Sequence, residues 1–123
     1  MKRCLVADSS EVVRKVARHF LEGLGFEVCE AEGAQAMLDM WRRKSPDIIM
    51  LDWHLPGMTT IEILSALRFG GGSTKRPFLL YCTADNDPVE LTRAFAAGID
   101  AYIMKPFDRQ SFAEKFTEMG LAA

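Results

Sequence analysis

The sequence has little excess charge and no long hydrophobic run. Its 123 residues carry 15 Lys and Arg against 17 Asp and Glu, which gives a net charge of −2. Without a basic block we expect no nucleic acid partner. No apolar stretch approaches the length of a transmembrane helix, and the one after the basic N-terminus is too short for a signal peptide. We therefore expect a cytoplasmic protein that does not insert into membranes.

Cysteine is also scarce. Cys4, Cys29 and Cys82 are odd in number and form no CxxC pair, which argues against a disulfide framework. Each lies within an apolar run, so we predict reduced, buried thiols.

Internal repeats, linkers and low-complexity segments are absent. The length fits one domain, and 49% hydrophobic with 26% charged residues is typical of a globular protein. A chain of this length buries roughly two-thirds of its unfolded surface, so it needs no disulfide or metal to fold. We predict a single domain over residues 1–123.

Short apolar segments alternate five times with segments of helical periodicity. The predicted strands are 3–7, 26–31, 48–51, 77–82 and 101–104. The predicted helices run from about 11 to 24, over 34–43 and 60–68, from 88 to about 98, and from 109 to about 119. This order predicts an α/β fold in which a doubly wound, five-stranded parallel sheet is covered by helices on both faces.

Several local signals are specific enough to check. Val13, Val16, Phe20 and Leu24 recur at helical spacing and predict the buried face of the first helix. Asp87 is predicted to cap the fourth helix, with Pro88 at the first position and Glu90 closing a capping box. We expect residues 69–76 to form a mobile loop with Lys75 and Arg76 solvated, and Trp53 and His54 to lie exposed in another loop.

Polar residues follow the strands at their carboxyl ends, where open parallel sheets bind ligands. Asp8 follows the first strand, Asp52 the third, Thr83 the fourth and Lys105 the fifth. Two neighbouring carboxylates repel unless a cation joins them, and both Lys105 and Mg²⁺ suit that role. Such a set suits phosphoryl transfer, with Asp52 as the nucleophile that forms an acyl phosphate and the cations neutralising the phosphoryl oxygens.

Two enzyme classes with related folds fit less well. Aspartate-nucleophile phosphatases use a DxD pattern after the first strand, whereas Asp8-Ser9-Ser10 lacks the second acid. Flavodoxins hold a phosphate there, which Asp8 and Asp52 would repel, and no aromatic pair is evident to sandwich a flavin. We therefore expect a signalling switch rather than an enzyme.

Four stretches resemble a bacterial two-component response-regulator receiver domain of the stand-alone, CheY-like kind. They are LVADSSEVVRK, DIIMLDWHLPGM, YCTA and AYIMKPF, and the resemblance runs end to end. It implies a flavodoxin-like sheet of strand order 2-1-3-4-5. It also implies that Asp52 accepts a phosphoryl group from a sensor histidine kinase or a phosphotransfer protein, and that control acts through protein contacts, in chemotaxis or elsewhere.

The resemblance implies a Mg²⁺ site and a switch. The metal would be held by Asp8, Asp52, the backbone carbonyl of His54 and, weakly or through water, Ser9. Thr83 would be the switch hydroxyl and Tyr102 the aromatic that moves behind it. Lys105 would pair with the phosphoryl group and precede a cis bond to Pro106. The downstream partner would bind a face that contains Leu91, Phe95, Tyr102 and Lys115.

Two positions depart from the family. Ser9 replaces the second acid, which in the family ligates the metal directly, and Thr59-Thr60 replaces the usual Asp-Gly. A neutral hydroxyl binds a metal more weakly than a carboxylate, and losing the glycine alters the loop beside Asp52. These departures leave open a receiver-like interaction module that works without phosphate, or one that responds to a small ligand such as a nucleotide second messenger.

Overall fold

The computed structural model describes residues 2–69 and 76–121. Five strands alternate with five helices. The strands are β1 (Arg3–Ala7), β2 (Glu27–Ala31), β3 (Ile48–Asp52), β4 (Phe78–Thr83) and β5 (Ala101–Met104). The helices are α1 (Glu11–Gly23), α2 (Ala34–Lys44), α3 (Thr60–Phe69), α4 (Pro88–Ala97) and α5 (Arg109–Glu118). Most of the predicted loop 69–76, including Lys75, lies outside the described residues.

The strands form one parallel sheet in the order β2-β1-β3-β4-β5, which confirms the predicted doubly wound fold. β3 is at the centre and all five of its residues are buried. Ala7 of β1 pairs with Leu51 of β3, and Asp52 pairs with Cys82 of β4. This register brings the carboxyl ends of the three middle strands to one edge of the sheet.

Each face of the sheet buries its own apolar layer. The layer under α2, α3 and α4 contains Trp41 and Ile49, both fully buried. The layer under α1 and α5 contains Phe112 and Phe116, whose rings stack with centroids 4.8 Å apart. Burying one such large side chain contributes about 1.5–3 kcal/mol, so the two layers hold the sheet edge in place.

The buried face of α1 differs from the prediction. Ala17 and Leu21 face the sheet and are fully buried, whereas Val16 is 37% exposed. Ala17 lies one position from Val16, about 100° around the helix, so burying the Ala17–Leu21 stripe moves Val16 to its border. The helical spacing of the large apolar residues predicted that Val16, rather than Ala17, would face the sheet.

The start of α4 is only partly as predicted. Asp87 accepts a hydrogen bond from the backbone of Val89, and Pro88 begins the helix. The predicted capping box is wrong, because the backbone N–H of Asp87 donates to Asp85 Oδ1 at 3.0 Å rather than to Glu90. The Asp85 carboxylate accepts a hydrogen bond from that N–H across a tight turn, so this N–H is not available to Glu90.

Two side-chain predictions need smaller corrections. Arg76 is exposed, yet it also contacts Asp100 at 3.5 Å and donates to the carbonyl of Gly98. All three cysteines are free, but Cys29 is only half-buried because β2 is an edge strand. Within residues 2–69 and 76–121, no helix has the length and apolar character needed to cross a bilayer.

Candidate functional site

One ammonium group joins two carboxylates at the carboxyl edge of the sheet. Lys105 Nζ lies 2.8 Å from Asp8 Oδ2 and 2.9 Å from Asp52 Oδ1. Asp8 is 3% exposed and Asp52 is 8% exposed. In the chain, Lys105 is 97 residues from Asp8 and 53 residues from Asp52, so the fold brings distant charged groups together.

Short connections from three strands hold these groups. Asp52 is the last residue of β3. Asp8 follows β1 directly; its backbone N–H donates to Ala31 of β2, and its Oδ1 accepts from the N–H of Ser10 at 2.8 Å. Lys105 follows β5, and its N–H donates to the carbonyl of Thr83 at 2.8 Å. The Lys105–Pro106 bond is cis, as the resemblance implied.

The site is anionic in spite of its lysine. Burial lowers the pKa of Lys105, but the hydrogen bonds to Asp8 and Asp52 raise it by more, so its pKa lies above the ordinary value. Lys105 is therefore a cation at neutral pH and balances one of the two carboxylates. Among the described residues, none donates a hydrogen bond to Asp52 Oδ2. That oxygen can react with, or bind, an incoming group.

The donor set fits a magnesium ion, with less charge than three acids would supply. In the described part of the chain, no three His, Cys, Asp or Glu side chains converge as a metal site. Mg²⁺ requires only one or two carboxylates and keeps several waters. Asp8 and Asp52 supply the two carboxylates, and Ser9 beside them is exposed. An ion that bound both carboxylates would share them with Lys105.

The two predicted switch residues lie outside this cluster of charges. Thr83 is 1% exposed, and its hydroxyl donates to the carbonyl of Asp85 at 3.1 Å and accepts from the N–H of Asp85 at 3.0 Å. Tyr102 is half-buried, with its ring edge-on to Phe95 and with Lys115 Nζ 5.2 Å from its centroid. Neither residue is hydrogen-bonded to Asp52 in this state.

The loop after Asp52 borders an open cavity of about 490 Å³. His54 is exposed, as predicted, but Trp53 is only half-exposed. The Trp53 ring packs against His54, with centroids 4.7 Å apart, and against Tyr81 of β4 at 6.2 Å. The cavity is lined by Trp53, His54, Leu55, Pro56, Met58, Thr59, Thr60, Tyr81 and Glu90.

A second depression borders Lys105. It has a volume of about 420 Å³ and is almost entirely apolar. We call it the α1 groove; it is lined by Val12, Val13, Val16, Ala84, Lys105, Pro106 and Phe107. Val12 is 72% exposed there, and Val16, which is also exposed, lines the same groove.

Sequence reasoning missed two residues that support Asp8. Arg14 donates to the backbone carbonyl of Asp8 at 2.8 Å and to Glu30 at 3.1 Å. Glu30 also contacts Lys15 at 3.0 Å and Arg18 at 2.7 Å. Burial raises the pKa of Glu30, but the three cations together lower it by more. The basic residues of α1 were visible in the sequence. That Glu30 is their common partner depends on where β2 pairs with β1 in the sheet.

Comparison with known proteins agrees with this geometry. Residues 4–117 match the model of the response regulator receiver domain. The chemotaxis protein CheY of Pseudomonas aeruginosa is 30% identical over 118 residues, covering 95% of this chain and 94% of that protein. The chain is therefore similar to that relative over nearly the full length of both.

Solved structures show the same fold. CheY4, a chemotaxis response regulator of Vibrio cholerae, has a TM-score of 0.86 at 24% identity and covers 96% of this chain and 98% of its own. The receiver domain of a Pseudomonas aeruginosa sensor histidine kinase has a TM-score of 0.81 at 20% identity, with 95% of each chain covered. That domain was solved with a magnesium ion coordinated in its active-site cleft. This chain belongs to the response regulator receiver family and has the CheY-like form of its domain.

Proposed function

We propose that this protein is a phosphorylation-controlled switch in which Asp52 accepts a phosphoryl group from a histidine. The observation that carries this proposal is the Lys105 ammonium between Asp8 and Asp52, with Asp52 Oδ2 left without a donor among the described residues. In the transfer, an Asp52 oxygen bonds to phosphorus while the phosphorus–nitrogen bond breaks. The donor histidine, protonated on its other ring nitrogen, leaves as neutral imidazole, and the product is an acyl phosphate.

The surrounding groups supply charge rather than covalent chemistry. Lys105 already contacts Asp52 and would follow the negative charge onto the phosphoryl oxygens. Mg²⁺, when bound by Asp8, Asp52, the His54 carbonyl and, through water, Ser9, would neutralise the remaining oxygens. Asp8 holds one side of Lys105 and so keeps the ammonium at the mouth of the site.

Switching requires the Thr83 hydroxyl to change partners. It is now hydrogen-bonded to the backbone of Asp85, and an acyl phosphate on the neighbouring strand offers it a charged acceptor instead. Tyr102 would then move inward and alter the face formed by α4, β5 and α5. On that face, Phe95 is 44% exposed and contacts Tyr102, with Leu91 and Lys115 beside them. We propose that a downstream protein binds there.

The phosphoryl donor in this proposal is a sensor histidine kinase or a phosphotransfer protein. Such a donor must place a histidine beside Asp52, and the α1 groove offers an apolar surface next to Lys105 for its docking. The relatives that are chemotaxis proteins favour a role in motility signalling. Because these donors work in the cytoplasm, the proposal places the protein there too.

Mass spectrometry after incubation with acetyl phosphate and Mg²⁺ tests the proposal. The wild type should gain about 80 Da, one phosphoryl group, and Asp52→Ala should gain none. Asp39→Ala, which removes an exposed carboxylate on α2, is the matched control and should gain the same mass as the wild type. A gain in Asp52→Ala would refute the assignment of the acceptor. No gain in the wild type would refute the switch and leave a phosphate-independent interaction module.

A further inference from the structure

The backbone of Trp53, directly after the proposed acceptor, is fixed from two sides. Its N–H donates to the carbonyl of Cys82 on β4 at 2.9 Å. Its carbonyl accepts from the Thr60 hydroxyl at the start of α3, also at 2.9 Å. The chain therefore leaves Asp52 in a direction set by one strand and by one side chain.

The Thr60 hydroxyl is not needed to begin α3. The neighbouring Thr59 already accepts from the N–H of Glu62 at 3.1 Å, and Glu62 accepts from the N–H of Thr59 at 3.0 Å. These reciprocal bonds form a complete capping box. The two adjacent threonines therefore have different roles. Thr59 caps the helix, and the Thr60 hydroxyl binds the loop backbone at Trp53.

Thr60 also lies beside the sheet. Thr60 and Tyr81 of β4 line the same cavity next to this loop, and Tyr81 is 2% exposed. The Thr60 hydroxyl therefore joins α3 to the loop that follows Asp52 beside a buried side chain of the sheet.

We propose that Thr60 is a positioning residue for the magnesium site, because its hydroxyl fixes the backbone that carries the His54 carbonyl. This inference rests on the proposed function. His54 lies between the fixed Trp53 and Leu55, which is 4% exposed, so the chain on both sides of the carbonyl is held. With serine at position 9, the site offers the carboxylates of Asp8 and Asp52 and no third one there. The carbonyl therefore supplies a larger share of the donors, and its orientation matters more.

Three variants separate positioning from simple stability. Thr60→Val keeps the size of the side chain and removes the hydroxyl, Thr60→Ser keeps the hydroxyl, and Thr59→Val breaks the capping box only. Mg²⁺ binding is measured by calorimetry and by the fluorescence of Trp53. We expect Thr60→Val to bind Mg²⁺ roughly 10-fold more weakly and the other two to stay within about twofold of the wild type, as for partners that orient a ligand.

Urea unfolding of the same proteins completes the test. Both valine variants should lose stability, since each loses a hydrogen bond, but only Thr60→Val should lose metal affinity. If Thr60→Val binds Mg²⁺ as tightly as Thr59→Val, the inference is overturned while the proposed function stands. If the wild type itself does not respond to Mg²⁺, the metal site of the proposed function fails and the inference fails with it.

Discussion

All four polar atoms of Asp8 have partners. Its N–H donates to Ala31, its carbonyl accepts from Arg14, and its carboxylate oxygens accept from Ser10 and Lys105. Asp8 therefore cannot move toward a metal without breaking a bond. A divalent cation that binds beside it must compete with the lysine, and serine at position 9 gives that cation little help.

Ser9→Asp should increase Mg²⁺ affinity at least ~10-fold. A third carboxylate attracts the ion by roughly 4 kcal/mol per unit charge pair at ~4 Å and an effective dielectric constant of ~20, and desolvation offsets part of this. Calorimetric titration measures the change, with Ser9→Asn as the neutral control. If aspartate and asparagine at this position bind Mg²⁺ equally, the missing charge does not limit metal binding.

Residues at strand ends could be placed from the sequence, whereas side-chain partners could not. Asp8, Asp52 and Lys105 directly follow or end apolar runs, so parallel pairing sends them to one edge. The hydrogen bonds of the Thr83 hydroxyl depend on a rotamer, which no apolar pattern determines. The roles of the Thr59 and Thr60 hydroxyls depend on the path of the loop and were likewise hidden.

At the scale of elements, one partly buried carboxylate joins α1 to the edge strand β2. The Glu30 carboxylate forms ion pairs with three residues from two successive turns of α1: Arg14, Lys15 and Arg18. Since Arg14 also holds the Asp8 carbonyl, this cluster connects the edge of the sheet to the proposed active site. Losing Glu30 would leave three cations together without their common partner.

Glu30→Gln should lower the free energy of unfolding at pH 7 by roughly 1.5–3 kcal/mol, the range for hydrogen bonds to charged groups. The pKa of Glu30 is depressed in the fold below its ordinary 4.5. Its contribution is therefore complete above about pH 4.5 and lost as the pH falls through the lower folded value. Urea unfolding between pH 3 and 7 should show a weaker acid dependence in the variant.

Glu27→Gln is the control for that experiment. Glu27 lies on the same strand but is exposed, and its carboxylate pairs with Arg3. Exposed pairs contribute at most about 1 kcal/mol, so this variant should lose less stability and keep the acid dependence of the wild type. Equal losses in both variants would mean that the three cations do not act through Glu30.

Helix ends were more predictable than helix orientation. Asp87 caps α4 as the sequence indicated, because capping uses residues adjacent in the chain. The exposure of Val16 was not predictable in this way. The rotation of α1 depends on how Ala17 and Leu21 pack against the sheet, which is a contact between distant segments.

At the scale of the whole molecule, the two candidate docking surfaces share no residue. The α1 groove lies beside Lys105, and the face with Phe95, Tyr102 and Lys115 is built by α4, β5 and α5. A phosphoryl donor and a downstream partner would therefore use different contacts. Loss of one interaction can be measured without loss of the other.

Val12→Asp should slow phosphoryl transfer from a protein donor roughly 10-fold, the effect of about 1.4 kcal/mol at an interface. The rate with acetyl phosphate should not change, because Val12 is 72% exposed and is not part of the site's chemistry. The rates are measured by radiolabel transfer or mass spectrometry. Ile61→Asp, which changes an apolar residue of α3 that is 56% exposed and outside the groove, is the control. Equal rates for both variants with the protein donor would exclude the groove as its docking surface.

The general architecture was readable from the alternation of strands and helices, but the strand order was not. Apolar periodicity predicts five parallel strands, and many orders satisfy it. The order 2-1-3-4-5 came from the resemblance carried by the residues around Asp8, Asp52, Thr83 and Lys105, and the structure confirms it.

Lys105 and Tyr102 are joined by only Ile103 and Met104, and Ile103 is 6% exposed and anchored in the core. The ammonium that contacts Asp52 and the ring of Tyr102 are thus attached to one short length of backbone. In the proposed switch, any part of the Lys105 movement that reaches its backbone would act on that length at its end. The proposed signal would then have a covalent route of three peptide bonds to Tyr102.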